Sequence, residues 1–140
     1  MADQQRPVGA IQMRLVVEAD DYDAAVAFYR DGLGLTEEMA ISGPEGAHVT
    51  ILDAARATLE IANPGQKRYI DEVEIGRQVA PRLRVAFEVT DASSSTRKLV
   101  DAGAKLIAEP IETPWRSLNS RLQAPAGLQI TLFEELVSTD

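Results

Sequence analysis

Residues 13–60 and 83–131 carry one pattern twice. Met13-Arg14-Leu15-Val16-Val17-Glu18 aligns with Leu83-Arg84-Val85-Ala86-Phe87-Glu88 at an offset of 70, which also pairs Asp21 with Asp91 and Asp31 with Asp101. With one extra residue in the second copy, Leu59-Glu60-Ile61 aligns with Ile130-Thr131-Leu132. Two units of roughly 50 residues are too few and too long for a solenoid. The repeat therefore points to a pseudo-symmetric domain with a cleft between its halves. At 140 residues the chain is long enough for one domain with a real core.

Each copy reads as strand, helix and three strands. In the first, apolar residues alternate along 11–18, with Ile11, Met13, Leu15 and Val17 on one face and Gln12, Arg14, Val16 and Glu18 on the other. Asp20 or Asp21 caps a helix running to about Arg30, whose buried stripe is Tyr22, Ala25, Val26, Tyr29 and Leu33. Gly32 and Gly34 stop it. Strands fit at 35–41, 47–53 and 57–62. Asn63-Pro64-Gly65 then breaks the unit, and 66–81 reads as a charged connector in which Asp71-Glu72-Val73-Glu74 is a solvated face.

The second unit repeats the order. Its first strand, 82–90, buries Leu83, Val85, Phe87 and Val89 and turns Arg82, Arg84, Ala86 and Glu88 the other way. A helix follows from Asp91 to Ala102, with strands at 105–108, 116–123 and 128–135. The fold class is α+β: two β-α-β-β-β modules, at 11–62 and 82–135, related by a pseudo-two-fold axis. One helix covers each sheet, leaving the opposite face to line the cleft. Residues 1–9 are polar and expected to fray.

Charge and composition narrow the function classes. A net charge of −8 argues against a nucleic-acid partner, which calls for a basic face. Without cysteine there are no disulfides, thiolate metal sites or thiol nucleophile, as suits a cytoplasmic setting. No apolar run reaches the roughly 18 residues of a membrane span. Phosphate-cradling glycine loops and the G-x-S-x-G nucleophile elbow are missing too.

The first-helix segment Asp20-Asp21-Tyr22-Asp23-Ala24-Ala25-Val26-Ala27-Phe28-Tyr29-Arg30-Asp31-Gly32-Leu33-Gly34-Leu35 resembles a signature of the vicinal oxygen chelate superfamily. That superfamily holds glyoxalases, bleomycin resistance proteins and extradiol dioxygenases. Ala124-Pro125-Ala126-Gly127, with the strand after it, looks like its closing turn, so the resemblance covers residues 11–135. It implies four metal positions, on the first and last strands of each module. Here they fall on Arg14, Glu60, Arg84 and Thr131. Arg has no lone pair and stays charged, so only Glu60 is a credible ligand, and neither a metal nor another cofactor is expected. His48, the single histidine, reads as an ordinary strand residue.

What stands in the metal's place is a polar strip of ligand-binding candidates: Arg14, Glu60, Arg84, Asn119, Arg121 and Thr131. Two readings stay open. The arginines clamp a carboxylate, phosphate or enolate, since planar forks bind such groups bidentately. Alternatively they only balance Glu60 in a vacated pocket. Trp115, entering a cleft strand from a loop, is placed to stack on a flat ligand.

The leading expectation is a metal-free small-molecule-binding protein of the bleomycin resistance type, taking an anionic or aromatic ligand. The alternative is a lyase, isomerase or cyclase with Glu60 as base and the arginines stabilising an oxyanion. A metal-dependent glyoxalase or dioxygenase ranks below both. The resemblance also implies a homodimer, and Tyr69-Ile70 offers an apolar contact either to a partner or back onto the same chain.

Overall fold

The computed structural model describes residues 12, 14–58 and 60–136. The expectations for Ile11, Met13 and Leu59, and for the N-terminal tail, lie outside the described residues. Within them the fold is α+β. Helix α1 spans Tyr22–Val26 and runs on as a π-helical stretch, Ala27–Gly32. Strands β1 (Thr36–Ser42) and β2 (His48–Asp53) form an antiparallel pair. Helix α2 (Pro64–Glu74) follows, then β3 (Val85–Glu88), α3 (Ala92–Asp101), β4 (Lys105–Glu112), β5 (Ser117–Gln123) and β6 (Gln129–Glu135). Among the described residues no helix is long and apolar enough to cross a membrane.

The second unit takes all five expected elements. Its sheet has the order β3-β6-β5-β4; α3 crosses from β3 to the far edge strand β4, β3 runs parallel to β6, and the other pairs are antiparallel. Asp91 starts α3 by accepting the Ser94 amide at 3.0 Å. Leu122, Ile130 and Leu132 share one face of this sheet and pack with Leu99 of α3. On the same face Ser120 hydrogen-bonds Thr96 at 2.7 Å, so the hydroxyls beneath α3 are paired.

The π-helical turn joins this core. Phe28 is 1% exposed and meets the Tyr29 ring edge-on, with centroids 4.8 Å apart. The Tyr29 hydroxyl donates to the Pro125 carbonyl at 2.8 Å, and burial pushes its pKa up to about 12. The stripe read at 3.6-residue spacing included Tyr29 but not Phe28. Phe28 stands three residues after buried Ala25, on the same helical face, and its carbonyl accepts the Leu33 N–H that closes the wider turn. Gly32 sits where a Cβ would come 3.3 Å from the Ala102 Cβ, so the end of this helix passes close to the end of α3.

Five expectations are corrected. Residues 14–18 and the described part of 57–62 are not strands. Asp53 Oδ1 accepts the Ala55 amide at 2.9 Å, and Ala55 turns to φ 58°, so the chain is re-aimed as β2 ends. The strand expected at 82–90 is held only where it pairs with β6, and Leu83 lies outside it, exposed rather than buried. Strand β4 runs on to Glu112, past the expected 108.

The largest correction concerns 66–81. Asn63 Oδ1 accepts the Gln66 amide at 2.9 Å and Pro64 takes the first turn, so the apparent breaker starts α2. The helix lies against β5, on the face of the sheet opposite α3. That face was expected to be free.

Candidate functional site

Strand alternation puts Asn119 and Arg121 of β5 and Gln129 and Thr131 of β6 on the face that α2 covers, and all four are buried. Arg121 pairs in register with Thr131. Arg84, just before β3, donates from Nη1 to Thr131 Oγ1 at 2.6 Å. Arg84, Thr131 and Arg121 thus run in line across three neighbouring strand positions. The sequence reading placed these residues on one face, and the structure brings them together.

Helix α2 supplies the counter-charges. Arg121, 0% exposed, donates from Nη1 to Asp71 Oδ1 at 3.0 Å and from Nη2 to Glu74 Oε1 at 2.7 Å. Asp71 and Glu74 are both buried, one helical turn apart, and only Glu72 of the expected solvated face is exposed. Buried charges demand such partners, because an unpaired one would carry its full desolvation cost.

The pairs belong to a longer chain of hydrogen bonds. Arg121 Nη1 also donates to Gln129 Oε1 at 2.8 Å, and Asp71 Oδ2 accepts the amides of Val79 and Ala80 at 2.7 and 2.8 Å. Asn119 Nδ2 donates to Glu74 Oε2 at 2.8 Å, while its Oδ1 accepts from Ser117, which bonds Thr113. Arg121 Nε alone stays without a partner.

These contacts set the local acid–base behaviour. Burial pushes the Asp71 pKa up, but the Ala80 and Val79 amides and Arg121 outweigh it and hold the carboxyl below its ordinary value. Burial lowers the Arg84 pKa and the like charge of Arg121 adds to it, opposed by Glu74, Asp71 and Glu60. Two guanidiniums therefore share one desolvated face with two carboxylates.

The other candidates are less closely tied to this face, Glu60 acting on Arg84 by charge alone. Arg14 and Glu60 are exposed, and among the described residues no ion pair joins Arg14, Glu60 and Arg84. The expected Arg–Glu–Arg network is therefore replaced by Arg84 and Arg121 facing Asp71 and Glu74. Trp115 sits in the turn between β4 and β5, 43% exposed, with its ring 6.1 Å from that of Tyr69. Tyr69 thus packs back on its own chain. His48 is exposed on β2, against Tyr22 and Ser42.

The sequence reading missed Asp71 and Glu74. The signal that finds them is the helix start at Asn63-Pro64, followed by inward positions Lys67, Ile70, Asp71 and Glu74 at helical spacing.

A family model described as a glyoxalase-like domain matches residues 14–133. The chain belongs to this family. It is thereby a member of the vicinal oxygen chelate superfamily. No curated protein matches it. Among solved structures it is similar to a glyoxalase-related enzyme from Fulvimarina pelagi, at 17% identity and a TM-score of 0.55, covering 90% of this chain and 89% of that one. A glyoxalase/bleomycin resistance protein/dioxygenase family enzyme from Burkholderia phytofirmans PsJN gives 17% identity and 0.53, covering 83% and 91%. A glyoxalase family protein from Bacillus cereus gives 17% and 0.52, covering 92% and 100%. These likenesses concern the fold.

The superfamily's metal is tested by the chemistry at its positions. Two of the four, Arg14 and Arg84, carry guanidiniums with no lone pair to give. A third, Thr131, accepts a hydrogen bond from one of them. The fourth, Glu60, is exposed. This donor set, two guanidiniums, one hydroxyl and a single exposed carboxylate, does not fit a divalent cation.

Proposed function

We propose that this glyoxalase-like protein folds as one domain of two paired modules and binds a small anionic molecule without a metal. The family's fold supports small-molecule binding. The observation that carries the finer reading is the alignment of Arg84, Thr131 and Arg121 across one buried sheet face. A carboxylate or phosphate meets there two planar donors in a desolvated setting, where charge-assisted hydrogen bonds are strongest. Trp115, beyond the Thr113–Ser117–Asn119 end of the strip, is the stacking edge for a flat part of the ligand.

A thermal-shift screen of organic anions tests this, because a ligand specific to the folded state raises its melting temperature. For the anion with the largest shift, Arg84→Met is expected to weaken binding by about 2–5 kcal/mol. Equal binding by the parent and Arg84→Met would remove Arg84 from the site.

We further propose that the protein is a homodimer. Val16 and Ile61 are each 87% exposed, and Leu15, Met39, Ile41, Val49 and Leu83 are about half exposed, apolar side chains that a second copy would cover. Sedimentation at micromolar concentration is expected to give a dimer mass; a single 15.2 kDa species would count against the pairing.

A further inference from the structure

We propose that helix α2 is a built-in occupant of the Arg84–Arg121 site, displaced by a small molecule carrying two anionic groups. This rests on the reading of that face as an anion site and adds what fills it and what can replace the filler.

Four observations carry the inference. Asp71 and Glu74 present two carboxylates to one guanidinium, one to each terminal nitrogen, at 3.0 and 2.7 Å. A diacid ligand would make the same two contacts. Second, α2 is seated mainly by polar groups: its innermost residues are Asp71 and Glu74, while Tyr69 is 48% exposed and Ile70 and Val73 are only partly covered. An apolar seat has no small-molecule equivalent, whereas a carboxylate seat can be exchanged for another carboxylate. Third, the charges balance only with the helix in place. Lifting it leaves Arg84 and Arg121 facing each other across Thr131, which favours a dianion over a monoanion. Among the described residues buried Arg121 Nε has no partner with the helix in place, a donor left for a further acceptor.

Fourth, the chain has hinges at both ends of α2. Asn63-Pro64 starts the helix abruptly, and Gly76 takes φ +86° just beyond its end. Val79 and Ala80 donate to Asp71 itself, which ties the loop after the helix to the helix so that the two move as one. Among the described residues the loop's remaining hold on the sheet is Gln129 Nε2 donating to the Val79 carbonyl at 3.3 Å. Tyr69 at the ring of Trp115, the only tryptophan of the chain, makes the movement visible as a change in fluorescence.

The experiment uses glutarate as the dianion and acetate as the monoanion. In the ligand-free parent, the α2 amides are expected to exchange with solvent as one unit with those of Val79 and Ala80. That exchange should be at least tenfold faster than for Leu122 and Leu132 in the sheet. Exchange no faster than that of the sheet would make α2 a fixed layer and overturn the proposal.

Glutarate is then titrated into the parent and into Asp71→Asn/Glu74→Gln, followed by Trp115 fluorescence. The variant keeps the shape of the occupant and removes its charge, so glutarate is expected to bind at least tenfold more tightly to it, with acetate far behind. Adding Arg121→Met should abolish that gain. Equal glutarate affinity in parent and variant overturns displacement and leaves the anion site standing. Binding insensitive to both Arg84→Met and Arg121→Met, or no binding to any form, removes the anion site and the proposal with it. Should the double variant fail to fold, the exchange comparison on the parent decides.

Discussion

Arg121→Met is expected to destabilise the protein by about 3–5 kcal/mol, because it strands two buried carboxylates at once. Asp71 and Glu74 each lose their guanidinium nitrogen, and neither is open to water. Glu74 keeps Asn119 and Asp71 keeps two backbone amides, so the helix is weakened at its seat rather than left without bonds. The same reasoning fixes the rescue. Adding Asp71→Asn and Glu74→Gln removes the stranded charges and is expected to recover most of the loss. Urea denaturation of the single and triple variants measures both. A loss below about 1 kcal/mol for Arg121→Met would mean that the pairs are open to solvent, as exposed pairs contribute only that much.

Phe28→Ala is expected to cost about 3–5 kcal/mol by the opposite physics, a cavity in place of a ring. Phe28 is almost fully covered and lies in the cluster that joins the π-helical turn to Leu99, Leu122, Ile130 and Leu132. Those neighbours belong to a paired sheet and its crossover helix, which limits how far they can close on the gap. Phe28→Leu keeps much of the volume and should lose clearly less. If both substitutions cost the same small amount, the first helix is not anchored in that core.

How much was legible in the sequence follows from which interaction specifies each element. The second unit read well because its strands alternate cleanly and one face is buried against α3, so register and facing were fixed together. Caps at Asp21 and Asp91 were legible for the same local reason, a side chain bonding an amide three residues on. Phe28 was passed over although it stands three residues after Ala25, because the stripe was counted through Val26 and Tyr29 instead. Helix α2 was not legible, because its buried side is written in acids. Carboxylates at inward positions look like a solvated face until the partner is known, and the partner, Arg121, stands 50 residues away from Asp71. Arg84, Asn119, Arg121 and Thr131 were correctly gathered on one face, since the period of two carries that information. Arg14 and Glu60 were grouped with them by the repeat alone, and the chain does not pair them there.

We propose that two metal positions of this superfamily, Arg84 and Thr131, line with Arg121 a site for an anion in this chain and that no metal is held. Elemental analysis of protein purified without chelator, and then incubated with zinc, manganese or iron(II) and desalted, tests it most directly. The expected result is much less than one metal ion per chain in every case, with melting temperature unchanged by the added ion. One metal ion per chain, lost on Glu60→Gln, would contradict it.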